Sequence, residues 1–92
     1  MSSVPLSIAI TMPDGSVVTI GTSDAAQEAI RYSFNPSGRP RVNTLKALAA
    51  AFLSECDAAL ADVPGAGREL AVAKTQMQTA SMWAVLGATK GA

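Results

Sequence analysis

Between Val42 and Ala88 the apolar residues recur at three- and four-residue steps, and the pattern is broken once, by Pro64, Gly65 and Gly67. That repeat is the period of a helix with one apolar face, and proline with glycine both stops a helix and reverses the chain. The first half places Val42, Leu45, Ala49, Phe52, Cys56 and Leu60 on one stripe, with Asn43 as a helix N-cap. The second, from about Arg68 to Ala88, places Leu70, Ala73, Met77, Ala80 and Ala84 on one face, and Met82, Val85 and Leu86 widen it. Alanine fills both segments, and small side chains let helix axes approach closely, so the spacing predicts a tight antiparallel helical hairpin.

Ahead of the helices the period is two. Leu6, Ile8, Ile10 and Met12 alternate with small residues, Pro13-Asp14-Gly15 is a turn, and Ser16 to Ile20 returns as a β-branched run. This predicts an antiparallel β-hairpin. Asp24 and Gln27 have capping-box spacing, so Ala25 to Ala29 reads as one helical turn. Ile30 to Phe34 is open between a third short strand and a continuation of that helix. Asn35 to Pro40, with two prolines and a glycine, reads as loop. The expected fold class is α+β in a single domain over residues 1–92. Its parts are a β region over 1–34, a loop over 35–41 and a two-helix hairpin over 42–90.

Composition bears on what such a small fold does. Of the 92 residues, 49% are hydrophobic and 15% charged, too few polar groups to cover a small sphere. A second apolar side on the last helix adds to that surplus, and a homo-oligomer is expected. Trp83 and Met82 read as core or interface anchors. Seven basic and seven acidic residues cancel, which argues against a duplex nucleic acid partner. The sequence has no histidine, hence no common general base, and no pair of carboxylates has acid/base or metal-cage spacing. There is no phosphate-binding glycine loop. The chain reads as a binder rather than an enzyme, with no cofactor and no metal. Cys56, the single cysteine, sits among apolar helical positions and reads as a buried structural thiol. No apolar stretch reaches membrane-spanning length, and no signal peptide is legible, so a cytoplasmic protein is expected.

Two charge features point to a ligand. Arg31, Arg39, Arg41 and Lys46 are consecutive charges of one sign, interleaved with Tyr32, Phe34 and Asn35. Arginine offers a planar fork for phosphate oxygens, aromatic rings stack on bases, and asparagine reads base edges. Lys46 would fall in the first turn of a helix beginning at Val42, where free backbone N–H groups favour anions. The plain alternative is a solvated basic loop with Phe34 in the core. Second, Arg68 opens a helix, where a cation opposes the macrodipole. Either an anion or a nearby acidic side chain would account for it.

The second helix, Gly67-Arg68-Glu69 through Ala73-Lys74-Thr75 to Gln78 and Ala80-Ser81-Met82-Trp83-Ala84, resembles the hairpin domain shared by the phage Thoeris anti-defence sponges and the phage anti-CBASS sponges. Phe34-Asn35-Pro36-Ser37 and the run from Val42 to Ala50 match its first half. The N-terminal β-hairpin is similar to the Thoeris branch. Gln78 departs from the glutamate more usual there. The resemblance implies an oligomer, commonly a hexamer, acting in the cytoplasm of the infected bacterial host. It would bind cyclic nucleotide immune signals, glycocyclic ADP-ribose or cyclic oligonucleotides, without cleaving them. It makes Arg68 a candidate for phosphates at a junction between subunits. Phe34, Asn35, Arg39, Arg41 and Lys46 are candidates by composition and position. Two other readings stay open: a homo-oligomeric structural or accessory phage protein without a nucleotide ligand, and a DNA-binding regulator using the Arg31–Lys46 stretch.

Overall fold

The computed structural model describes residues 6–91. Strands β1 (Ser7–Thr11) and β2 (Val17–Gly21) pair antiparallel in a two-stranded sheet, with Ile8 opposite Ile20 and Ile10 opposite Val18. The alternation fixes this register, because a slip of one residue would move all four side chains to the other face. Gly15, at φ 87°, takes the turn, and the Asp14 carboxylate accepts from the Ser16 N–H at 2.9 Å and its hydroxyl at 2.6 Å.

Helix α1 (Asp24–Ala29) follows. Its N-cap is Ser23, whose hydroxyl accepts from the Ala26 N–H at 3.1 Å. The expected capping box does not form, since the Gln27 amide donates back to Thr22 Oγ1 at 2.8 Å. Neither reading of Ile30 to Phe34 survives as well. The segment is a turn, opened by Arg31 in the left-handed region at φ 54°. Tyr32 N–H donates to Gln27 C=O at 2.8 Å and Arg31 N–H to Glu28 C=O at 3.0 Å. Those two bonds are the Schellman pattern that closes a helix, with arginine where glycine is usual.

Helix α2 (Pro40–Asp62) begins before the expected Val42, because Pro40 occupies the first helical turn with a φ already suited to it. Asn43 is therefore inside the helix and not its cap. A 3-10 turn (Pro64–Ala66) leads into α3 (Gly67–Ala88), which packs along α2.

The core lies where α1 crosses α2: Ala26, Ile30, Ala49, Ala50 and Leu53 cluster there, with Leu6, Tyr32 and Met77 against them. That corrects the expected stripe on α2. Val42, Ala49 and Cys56 are buried as expected, but Phe52 and Leu60 are exposed, and Leu53, Ala50 and Lys46 take the inward positions. The cause is α1, which covers a second side of α2 and rotates its buried face away from Phe52. Burial in turn raises the Cys56 thiol above its ordinary value, opposing thiolate formation. No helix among the described residues is long and apolar enough to cross a membrane.

Candidate functional site

The turn after α1 and the two ends of the long helices meet around one cleft. Its volume is about 460 Å³, and Phe34, Asn35, Pro36, Ser37, Val42, Lys46, Val85 and Thr89 line it. Phe34 is 53% exposed, so the ring is presented to solvent rather than packed in the core. The Arg31 guanidinium carbon lies 4.7 Å from its centroid, and Lys46 Nζ lies 5.6 Å away. Two cations thus attend one exposed aromatic ring.

Lys46 is only 6% exposed, an unusual state for an ammonium. It donates to Arg31 C=O at 2.8 Å and to Phe34 C=O, so it holds the turn that carries the ring. It does not sit in the first turn of a helix, because α2 starts at Pro40, and the argument from free N–H groups lapses. Burial, and then the charge of Arg31, lower the Lys46 pKa from its ordinary 10.5. The unfolded chain keeps that proton to higher pH than the folded one. Between the lowered value and 10.5, this group therefore makes stability rise with pH.

Asn35 organises the same loop. Its amide nitrogen donates to Arg39 C=O at 3.0 Å and to Asn43 Oδ1 at 3.1 Å, and its oxygen accepts from Ser37 at 2.7 Å. Arg39 reaches across to α3, where Nη1 donates to Ala88 C=O at 3.0 Å. A cation at a helix C-terminus is favoured by the dipole and satisfies an orphan carbonyl. Arg41 is exposed, makes no ion pair among the described residues and does not line the cleft.

Arg68 stands apart. It is exposed in the first turn of α3, whereas Val85 and Thr89 border the cleft at the far end of that helix. Seventeen residues of helix put about 25 Å between Arg68 and Val85. The only ion pair among the described residues joins Lys74 to Asp57 at 2.8 Å, so none of them supplies an acidic partner that explains Arg68. The sequence candidates thus divide: Phe34, Asn35 and Lys46 line one cleft, Arg39 braces it, and Arg68 belongs to the other end of the molecule.

Val85 and Thr89 were missed by sequence reasoning as site residues. Arg31 lies in the basic run, but only its backbone shows what it does. An L-residue in the left-handed region costs about 1–2 kcal/mol, and an exposed cation–π contact returns about 0.5–1 kcal/mol. Local stability does not account for arginine there. Beside the site, α2 and α3 leave an apolar groove of about 350 Å³ lined by Leu45, Leu48, Phe52, Met77, Ala80 and Ala84. Met82, Trp83 and Leu86 are 71%, 69% and 60% exposed. Trp83 is therefore no core anchor of the single chain.

The fold and its cleft define a β-hairpin joined to a helical hairpin that presents an exposed aromatic ring near two cations. The Acb2/Tad1 hairpin domain matches residues 24–89, and the chain belongs to that family. It is a family of phage anti-defence nucleotide sponges. No curated protein and no solved structure gives a significant match.

Proposed function

We propose that this protein is a sponge that captures cyclic nucleotide immune signals, glycocyclic ADP-ribose or cyclic oligonucleotides, and holds them unchanged. The observation that carries the proposal is the exposed Phe34 ring with the Arg31 and Lys46 cations near it and Asn35 beside it in the cleft. A ring can stack on a base, and the cations suit its phosphates. Family membership supports the same reading. The absence of histidine, and of a carboxylate pair lining the cleft, favours binding over turnover.

The working unit of the proposal is a homo-oligomer, a hexamer as in the resemblance above. The groove at Phe52 and the exposed Trp83 face are the apolar surface it would bury. Assembly would also bring copies of Arg68 to a junction between subunits, giving a second class of site. Several guanidinium groups facing one ligand's phosphates would each add a charge-assisted hydrogen bond, worth about 1.5–3 kcal/mol.

Calorimetry on two variants tests this arrangement. Arg68→Ala is expected to abolish binding of a cyclic oligonucleotide and spare glycocyclic ADP-ribose, with melting nearly unchanged. Phe34→Ala, which removes the ring from the cleft, is expected to weaken the smaller ligand. Equal losses for both ligands in both variants would mean a single site or general electrostatic attraction.

A further inference from the structure

Arg31 closes α1 in a conformation that glycine adopts freely, and its side chain does nothing for the fold that would justify the substitution. The guanidinium makes no hydrogen bond or ion pair among the described residues. Its backbone alone is engaged: the N–H caps α1, and the C=O accepts from Phe34 N–H at 2.9 Å and from Lys46 at 2.8 Å. The turn would keep all of these bonds with glycine at this position. What glycine would lose is the guanidinium.

That group is exposed. It lies against the Phe34 ring, and with Ile30, Lys46, Ser81, Met82 and Val85 it borders a second recess of about 190 Å³. Lys46 and Val85 also line the Phe34 cleft, so the two spaces share a wall. No carboxylate lines either space; Asp24 and Glu28 border a neighbouring recess of about 570 Å³ with Arg31 and Phe34, and neither forms an ion pair with Arg31. Like charges brought together without an anion repel each other, and an anion between them removes the repulsion. Residues in strained backbone regions concentrate at ligand sites for this kind of reason.

We propose that the Arg31 guanidinium, which borders the recess adjoining the Phe34 cleft, is an anion-contacting group there, taking a phosphate oxygen of the ligand while Phe34 stacks on its base. This role rests on the sponge reading above for the identity of the ligand, but not for the anion site itself. The planar fork can bond two oxygens of one phosphate while keeping its face on the ring. Lys46, with two of its donors occupied by carbonyls, sets the turn and supplies the second charge.

Arg31→Gly separates the backbone from the side chain. Thermal melting of the wild type and the variant, each with and without millimolar inorganic pyrophosphate, reads the anion site. Without pyrophosphate, Arg31→Gly is expected to melt at or above the wild-type temperature, because the left-handed position is relieved. With it, the wild type is expected to shift upward and the variant not to. Binding of glycocyclic ADP-ribose is expected to fall at least tenfold in the same variant. A variant that melts several degrees below the wild type would show a structural role and overturn the proposal. So would a pyrophosphate shift that is absent from the wild type or equal in both proteins. A wild type that responds to pyrophosphate through Arg31 and binds no cyclic nucleotide would leave the anion site standing and remove the sponge.

Discussion

Replacing Trp83 by alanine is expected to break the proposed homo-oligomer into smaller species while the helices of each chain stay formed. The indole is 69% exposed, and Met82 and Leu86 beside it are exposed too, so truncation opens no cavity in the α1–α2–α3 core. In an interface the same ring would be buried, and central tryptophans there carry a disproportionate share of the energy, about 2 kcal/mol or more. In an assembly closed by symmetry every copy loses the contact, and the loss multiplies around the ring. Sedimentation at micromolar concentration, with far-ultraviolet circular dichroism on the same sample, reads both halves. Wild-type sedimentation of Trp83→Ala would place the interface elsewhere, with the groove at Leu48 and Phe52 the next surface to test.

Leu53→Ala is expected to have the opposite signature, a large loss of chain stability. Leu53 is 1% exposed and lies where α1 packs on α2, against Ala26, Ile30 and Ala50. Its neighbours are mostly alanines on rigid helices, and they cannot collapse into the vacated space. The cost is expected to be about 2–5 kcal/mol. A domain of this size has about 5–14 kcal/mol in all, so the variant would lose a large part of it. Denaturant unfolding followed by helix signal measures the difference. A loss below about 1 kcal/mol would mean that the core is not centred on the α1 contact.

The element order was legible because the periods are unmixed: two-residue alternation to Ile20, three-and-four spacing from Val42, and proline with glycine between the helices. What failed was the face of α2. Phe52 outweighs Leu53 in any count of apolar bulk, yet Leu53 is the buried one. Only the tertiary position of α1, six residues long, decides between two adjacent apolar positions. The helix start failed for a local reason, since Asn43 was preferred as a cap over Pro40 as a first helical residue.

The candidate site was legible as a composition and not as a geometry. Arginine, phenylalanine and asparagine between residues 31 and 41 announced phosphate and base chemistry, and Phe34, Asn35 and Lys46 do line one cleft. The role of Lys46 was hidden, because its bonds to the carbonyls of Arg31 and Phe34 exist only once the turn has folded against α2. Arg31 was hidden for a related reason. Its left-handed backbone follows from where α1 ends, and a short helix has no sequence signal strong enough to fix that residue. Val85 and Thr89 reach the cleft from the far end of α3, nearly fifty residues along the chain.

Capture without turnover is the central claim, and recovery of the ligand tests it most directly. The protein is mixed with substoichiometric glycocyclic ADP-ribose or a cyclic oligonucleotide, freed of unbound ligand, heated to unfold it, and the supernatant is chromatographed. The account predicts depletion of the free signal before heating and its quantitative return, chemically unchanged, afterwards. A new product peak that grows with time would make the protein an enzyme. Free signal that is never depleted, for any member of a panel of cyclic nucleotides, would contradict the sponge reading and leave a structural or accessory protein.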